Sequence, residues 1–201
     1  MKKICFVASH LMSGSSILCD ALDENPRVQH FRLALSRPYW DVSAVFDLIY
    51  RQHKLDNSAA VYLDELIFNY ELQIKHLYSC AKFVYVVRPP IKTLNLLVSN
   101  KLYTPLRAVR YYCYRLRRLC EMAKRTPGAV LLQWDDLITG RGLSLVEDYL
   151  SLKVKLEMPD DAFQSLKGTD DILIPNAMMK EAEICYERHL SFLFHQTLYT
   201  V

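Results

Sequence analysis

Short apolar runs alternate with amphipathic stretches along the chain, and polar turns separate them. Ile4–Ala8 (ICFVA), Ala59–Leu63 (AAVYL), Lys82–Val87 (KFVYVV) and Ala129–Gln133 (AVLLQ) are rich in β-branched and aromatic residues and nearly free of alternating polar ones. Such runs predict strands buried on both faces, as in a parallel sheet. Val28–Leu33 predicts a further short strand. Apolar residues at helical spacing predict helices over Ile17–Asp23, Asp41–His53, Phe68–Leu77, Lys92–Asn100 and Leu106–Lys124. After Gly140 the pattern is helical again over Leu143–Leu150 and Ala177–Phe194, with a loop through Pro159 and Gly168. Asn25–Pro26, Arg88–Pro89–Pro90 and Pro127–Gly128 supply the stops, because the residue before proline is pushed out of the α region.

Apolar strands separated by helices predict an α/β fold, a three-layer α/β/α sandwich with a mainly parallel central sheet. Ligands of such folds sit at the carboxyl ends of the strands. Ser9, Asp64, Arg88 and Trp134 each follow a predicted strand, so one rim is expected to gather them.

With 201 residues, 51% of them apolar and 23% charged, the chain suits one domain over residues 1–201. Its motif-bearing core spans residues 4–140, followed by a helical part over 141–201. A net charge of +3 is too mild to imply nucleic-acid binding. Arg107, Arg110, Arg115, Arg117, Arg118, Lys124 and Arg125 nevertheless cluster in one stretch, as a phosphate-facing surface or a solvated helix face. Six cysteines are dispersed without CxxC or zinc-type spacing, so no metal is expected. The apolar run after Met1–Lys2–Lys3 is too short for a signal-peptide core, and no run approaches the ~18 apolar residues of a membrane span. The expectation is a reduced, cytoplasmic protein without a membrane span.

Chemistry concentrates at two places. Ser13–Gly14–Ser15–Ser16 lies between a predicted strand and helix, where backbone N–H groups and the helix dipole can hold a phosphate or sulfate. Gly14 permits close approach, and the alternative is that Ser13 merely caps the helix. The GxxxxGK[ST] pattern is absent, since His10–Ser16 contains no lysine, and this disfavours a nucleoside-triphosphate kinase. The second place is Arg88, whose guanidinium directly after a buried strand must stay wet or find an anion.

These segments resemble the sulfotransferases that use 3′-phosphoadenosine-5′-phosphosulfate. Ser13–Gly14–Ser15–Ser16–Ile17–Leu18 with Asn25–Pro26 is similar to that family's 5′-phosphosulfate loop and helix. Val84–Tyr85–Val86–Val87–Arg88–Pro89–Pro90 is similar to its 3′-phosphate strand, and Trp134–Asp135–Asp136–Leu137 to the ending of a later strand. The resemblance spans about residues 4–140. It implies a P-loop-like fold and in-line transfer of a sulfonyl group from that nucleotide, as co-substrate, to a hydroxyl or amine of a small-molecule, sugar or peptide acceptor. It implies that Ser13, Gly14, Ser15, Ser16 and Ile17 bind the 5′-phosphosulfate, and that Arg88 with Asn95 or Ser99 binds the 3′-phosphate. His30, Asp64 and Glu65 are the candidates for the general base, and His10 for a loop cation. The family's loop carries Lys or Arg where this chain has Met12, and its 3′-phosphate serine falls where this chain has Leu96. A non-catalytic nucleotide- or anion-binding module that kept the fold is the alternative.

Overall fold

A computed structural model of the chain describes residues 3–30, 61–66, 81–158 and 173–197. The elements are β1 (Lys3–Ser9), α1 (Ser15–Asp23), β2 (Val28–His30), β3 (Val61–Leu66) and β4 (Lys82–Val87). They continue with α2 (Pro90–Ser99), α3 (Pro105–Ala123), β5 (Val130–Gln133), α4 (Trp134–Ile138), α5 (Arg141–Leu150) and α6 (Asn176–Gln196). The expected helices at Asp41–His53 and Phe68–Leu77 lie outside the described residues, as does the loop through Pro159 and Gly168.

The strands form one five-stranded sheet in the order β2-β3-β1-β4-β5, with every neighbouring pair parallel. The unbroken apolar runs are explained by helices on both faces. Cys5 and Val7 of β1, Leu63 of β3, Val84 and Val86 of β4 and Leu132 of β5 pack with Leu18 and Leu22 of α1 and Leu143 and Val146 of α5. The alternate residues Phe6, Ala8, Phe83, Tyr85 and Leu131 pack on the other face with α2, α3 and α6. Side chains two apart along a strand share a face, so strands covered on both faces, such as β1, β4 and β5, carry unbroken apolar runs. The molecule is the expected three-layer sandwich.

Helices begin slightly earlier than the apolar periodicity indicates. Pro90 and Pro105 each occupy the first turn of their helices, ahead of the expected starts at Lys92 and Leu106. Proline at that position loses no hydrogen bond and presets φ for the helix. A larger correction concerns β3, which does not end before Asp64. It runs to Leu66, and Asp64 and Glu65 pair in register with Phe6 and Val7 of β1. They therefore lie within an interior strand of the sheet.

Register aligns the carboxyl ends of the strands. Ala8 faces Leu66 and Tyr85, Ser9 faces Val86, and Val87 faces Gln133. Between β1 and β4 the chain leaves to opposite faces, through α1 on one side and α2 on the other. Such a switch opens a crevice at the strand ends.

Candidate functional site

β1 delivers the chain to a tight turn, His10–Gly14, before α1 begins. The Ser13 N–H closes the turn on the His10 carbonyl at 3.2 Å. Met12 (φ 61°) and Gly14 (φ 92°) are both left-handed. For Met12 that conformation is costly, by about 1 kcal/mol, and needs outside support. Arg88 Nη1 supplies it by donating to the Met12 carbonyl at 3.2 Å, and the Leu11 N–H donates to the Tyr111 hydroxyl at 2.9 Å. Glycine is required at position 14 for a second reason. A Cβ there would lie 2.6 Å from Cζ3 of Trp134, which covers the loop.

The serines form a directed relay. Ser9 Oγ donates to Ser15 Oγ at 2.7 Å, Ser13 Oγ donates to it at 3.1 Å, and Ser15 Oγ donates to Glu65 Oε1. One donor and two acceptor lone pairs are all that a hydroxyl has, so the Ser15 side chain is saturated. Ser13 Oγ also accepts from the Ser15 N–H at 3.2 Å, but the N-cap position is Gly14, which has no side-chain cap, so Ser13 is not the capping residue. The Ile17 and Leu18 N–H groups are spent on the Gly14 carbonyl. Among the described residues, the N–H groups of Gly14 and Ser16 have no acceptor, and the Ser16 side chain is exposed. Two open amides at a helix N-terminus, beside a free hydroxyl, fit one anion.

Two buried arginines lie beneath this turn. Arg88 follows β4, and burial pushes its guanidinium down to about 10, which leaves it cationic at neutral pH. It sits over Trp134 at 3.8 Å from the ring centroid. Its own backbone is fixed at both polar atoms. The N–H donates to His10 Nε2 at 3.1 Å, and the carbonyl accepts from the Tyr112 hydroxyl at 2.7 Å. Arg115 Nε donates to the Ser9 carbonyl at 2.7 Å. One guanidinium thus holds the end of β1 at Ser9 and the other the middle of the turn at Met12.

Arg115 did not stand out within its basic stretch. The overlooked signal is helical phase, since Ala108, Tyr112, Arg115 and Leu119 share the buried face of α3. Arg107, Arg110, Arg117, Lys124 and Arg125 are exposed, and Arg118 pairs with Glu121, so those residues form a solvated face.

His10 is not the loop cation. It is fully buried, Nδ1 lies 2.9 Å from the Leu11 carbonyl, and Nε2 accepts from Arg88. Nδ1 must therefore carry the proton and Nε2 must be bare. Burial, opposed by the bond to Leu11 and aided by Arg115 and Arg88, pushes the ring down to about 4.

The remaining expected residues separate. Glu65 is buried and reaches the loop through Ser15. Asp64 pairs with Phe6 one residue earlier in β3. His30 ends β2 opposite Leu63. With β3 intervening before β1, it stands roughly 10 Å to the side at ordinary strand spacing. Ile17 is buried against Leu96 and Trp134. Asn95 is buried, and its Oδ1 accepts from the Leu173 N–H at 3.3 Å. Ser99 is exposed and its hydroxyl donates back to the Leu96 carbonyl at 3.3 Å.

A doubly flanked parallel sheet whose first strand bends into a serine-glycine loop is the P-loop-like sulfotransferase fold, and the chain has that fold. It is similar over 95% of its length to 89% of the "Sulfotransferase Domain from the Synechococcus PCC 7002 Olefin Synthase", with a TM-score of 0.54 and 17% identity. No family model matches the sequence, and no curated protein matches it. Among the described residues no helix is long and apolar enough to cross a membrane, and no cluster of His, Cys, Asp and Glu is disposed to hold a metal ion.

Proposed function

We propose that the protein is a sulfotransferase that moves the sulfonyl group of 3′-phosphoadenosine-5′-phosphosulfate to a hydroxyl or amine. The observation that carries this reading is the Ser13–Ile17 turn. In a sulfotransferase fold it offers two open N–H groups and the Ser16 hydroxyl on a loop that Arg88 contacts at Met12. In this reading Ser13, Gly14, Ser15, Ser16 and Ile17 surround the 5′-phosphosulfate, mostly through backbone. Met12 leaves this loop without the basic residue that the resembled family carries there. The 3′-phosphate falls to Arg88 with Asn95 or Ser99 on α2.

Transfer needs the protein to do three things. It must hold donor and acceptor in line, stabilise charge on the departing phosphate, and take one proton from the acceptor. The acceptor oxygen or nitrogen forms the new bond to sulfur as the sulfur–oxygen bond to phosphate breaks. Of His30, Asp64 and Glu65, the last is favoured as base because its carboxylate already contacts the loop through Ser15.

The direct test is isothermal titration with 3′-phosphoadenosine-5′-phosphate, followed by transfer of labelled sulfate to a panel of hydroxyl and amine acceptors. Binding with transfer is the expected result. Leu96 gives the alternative a specific basis, since it fills the family's serine position with an apolar contact to Ile17 and Trp134. Binding without transfer to any acceptor would favour that non-catalytic nucleotide-binding module.

A further inference from the structure

Helices α3 and α6 pack along one another on the face of the sheet away from α1. Three free thiols and a histidine meet at that seam, Cys113 and Cys120 from α3 with Cys185 and His189 from α6. Their surroundings differ. Cys120 is buried, and its Sγ donates to the His189 carbonyl at 3.5 Å. Cys113 and Cys185 are half-buried and reach solvent. The two residues meet across the seam, where Cys185 Sγ donates to the Cys113 carbonyl at 3.9 Å.

His189 Nδ1 lies 2.7 Å from the Cys185 carbonyl and 3.5 Å from the Cys185 sulfur. A carbonyl oxygen only accepts, so Nδ1 carries a proton and directs it at both atoms. The neighbouring Cys113, then His189 and Arg188, bring the Cys185 thiol down against the opposing effect of burial. The neighbouring Cys185, then burial and the nearby Glu181, hold the Cys113 thiol up. Tyr112, Tyr186, Glu121 and Lys124 are further ionisable groups at this seam. A half-buried sulfur beside a histidine ring, facing a second half-buried cysteine on the neighbouring helix, is the arrangement of a peroxidatic and a resolving cysteine.

We propose that Cys185 and Cys113 form a hydroperoxide-sensitive modification site that closes into a disulfide between α6 and α3. The Cys185 thiolate attacks the outer peroxide oxygen, the O–O bond breaks, and Cys185 becomes a sulfenic acid as hydroxide or alkoxide leaves. The Cys113 sulfur then attacks the Cys185 sulfur. The S–S bond forms, the S–O bond breaks, and the hydroxide departs with the Cys113 proton as water. Each sulfur gives up one electron and the peroxide takes two. The bridge would lock the turn of α3 that carries Tyr111 and Tyr112, the residues that hold Leu11 and Arg88.

The experiment uses the reduced full-length protein, stoichiometric hydrogen peroxide, an iodoacetamide quench and peptide mapping. A Cys113–Cys185 linked peptide and the loss of two alkylatable thiols are expected. Recovery of both residues alkylated, or a bridge through Cys120, overturns the proposal. Without peroxide, Cys185 should alkylate about tenfold faster at pH 7 than Cys120, as a thiolate of moderate nucleophilicity does; equal rates also overturn it. In Cys113→Ser, dimedone should tag Cys185 after peroxide treatment. His189→Gln should slow Cys185 alkylation at pH 7 and leave the rate at pH 10 unchanged.

Discussion

The guanidinium of Arg88 sits over the indole of Trp134, 3.8 Å from the ring centroid, while the same indole leaves no room for a Cβ on Gly14. Loop, arginine and tryptophan therefore form one packed unit. The Gln133 N–H anchors this unit by donating to Asp136 Oδ2 at 2.9 Å, which starts α4 beneath the loop.

Removing Arg88 should weaken both the fold and the site. Arg88→Ala loses a cation–π contact and a charged hydrogen bond to Met12, and it empties a buried volume, for about 3 kcal/mol of destabilisation. Urea denaturation checks this value. Arg88→Lys keeps the charge without the planar guanidinium and should lose about half as much. Its affinity for 3′-phosphoadenosine-5′-phosphate should nonetheless stay well above that of Arg88→Ala.

Gly14→Ala should be poorly tolerated. The left-handed backbone costs a side chain about 1–2 kcal/mol, and the 2.6 Å approach to Trp134 adds a packing penalty of similar size. A fall in Tm of more than 5 °C is expected by calorimetry. A variant as stable as the parent would contradict the tight loop geometry.

Acid should destabilise the protein partly through His10. Its ring is held near 4 in the fold and titrates near 6.5 when exposed in the unfolded chain. Between those values the unfolded state binds the extra proton. The stabilising contribution is thus complete above about pH 6.5 and is lost as pH falls toward 4, about 3 kcal/mol in all. His10→Gln should flatten the slope of stability against pH across that window. An unchanged slope would show that His10 is not the group responsible.

Glu65→Gln separates a chemical role from a structural one. Glutamine keeps an oxygen that accepts from Ser15, so stability should change by less than about 1 kcal/mol. Loss of a general base should lower kcat about 10²–10⁴-fold with little change in donor affinity. His30→Ala, two strands from the loop, should retain activity.

The fold was legible because β1, β4 and β5 are apolar on both faces, which only a sheet covered on both sides requires. Helix starts were less legible, since Pro90 and Pro105 lie inside their helices although proline also ends them. The loop was readable from Ser13–Gly14–Ser15–Ser16 between a strand and a helix. The saturation of Ser15 by Ser9, Ser13 and Glu65 was not, because it arises from the parallel pairing of β1 with β3, 50 residues apart at the Ser15–Glu65 contact. His10 misleads for a related reason. A histidine in a polar turn suggests a cation, and only the tertiary contact with the Arg88 N–H reveals a neutral acceptor.

Titration calorimetry of the full-length chain with 3′-phosphoadenosine-5′-phosphate is the sharpest test of the proposed site. Saturable one-to-one binding that is lost in Arg88→Ala, with that variant shown to be folded, is the predicted result. No heat of binding at millimolar ligand, or an affinity indifferent to Arg88, would contradict it.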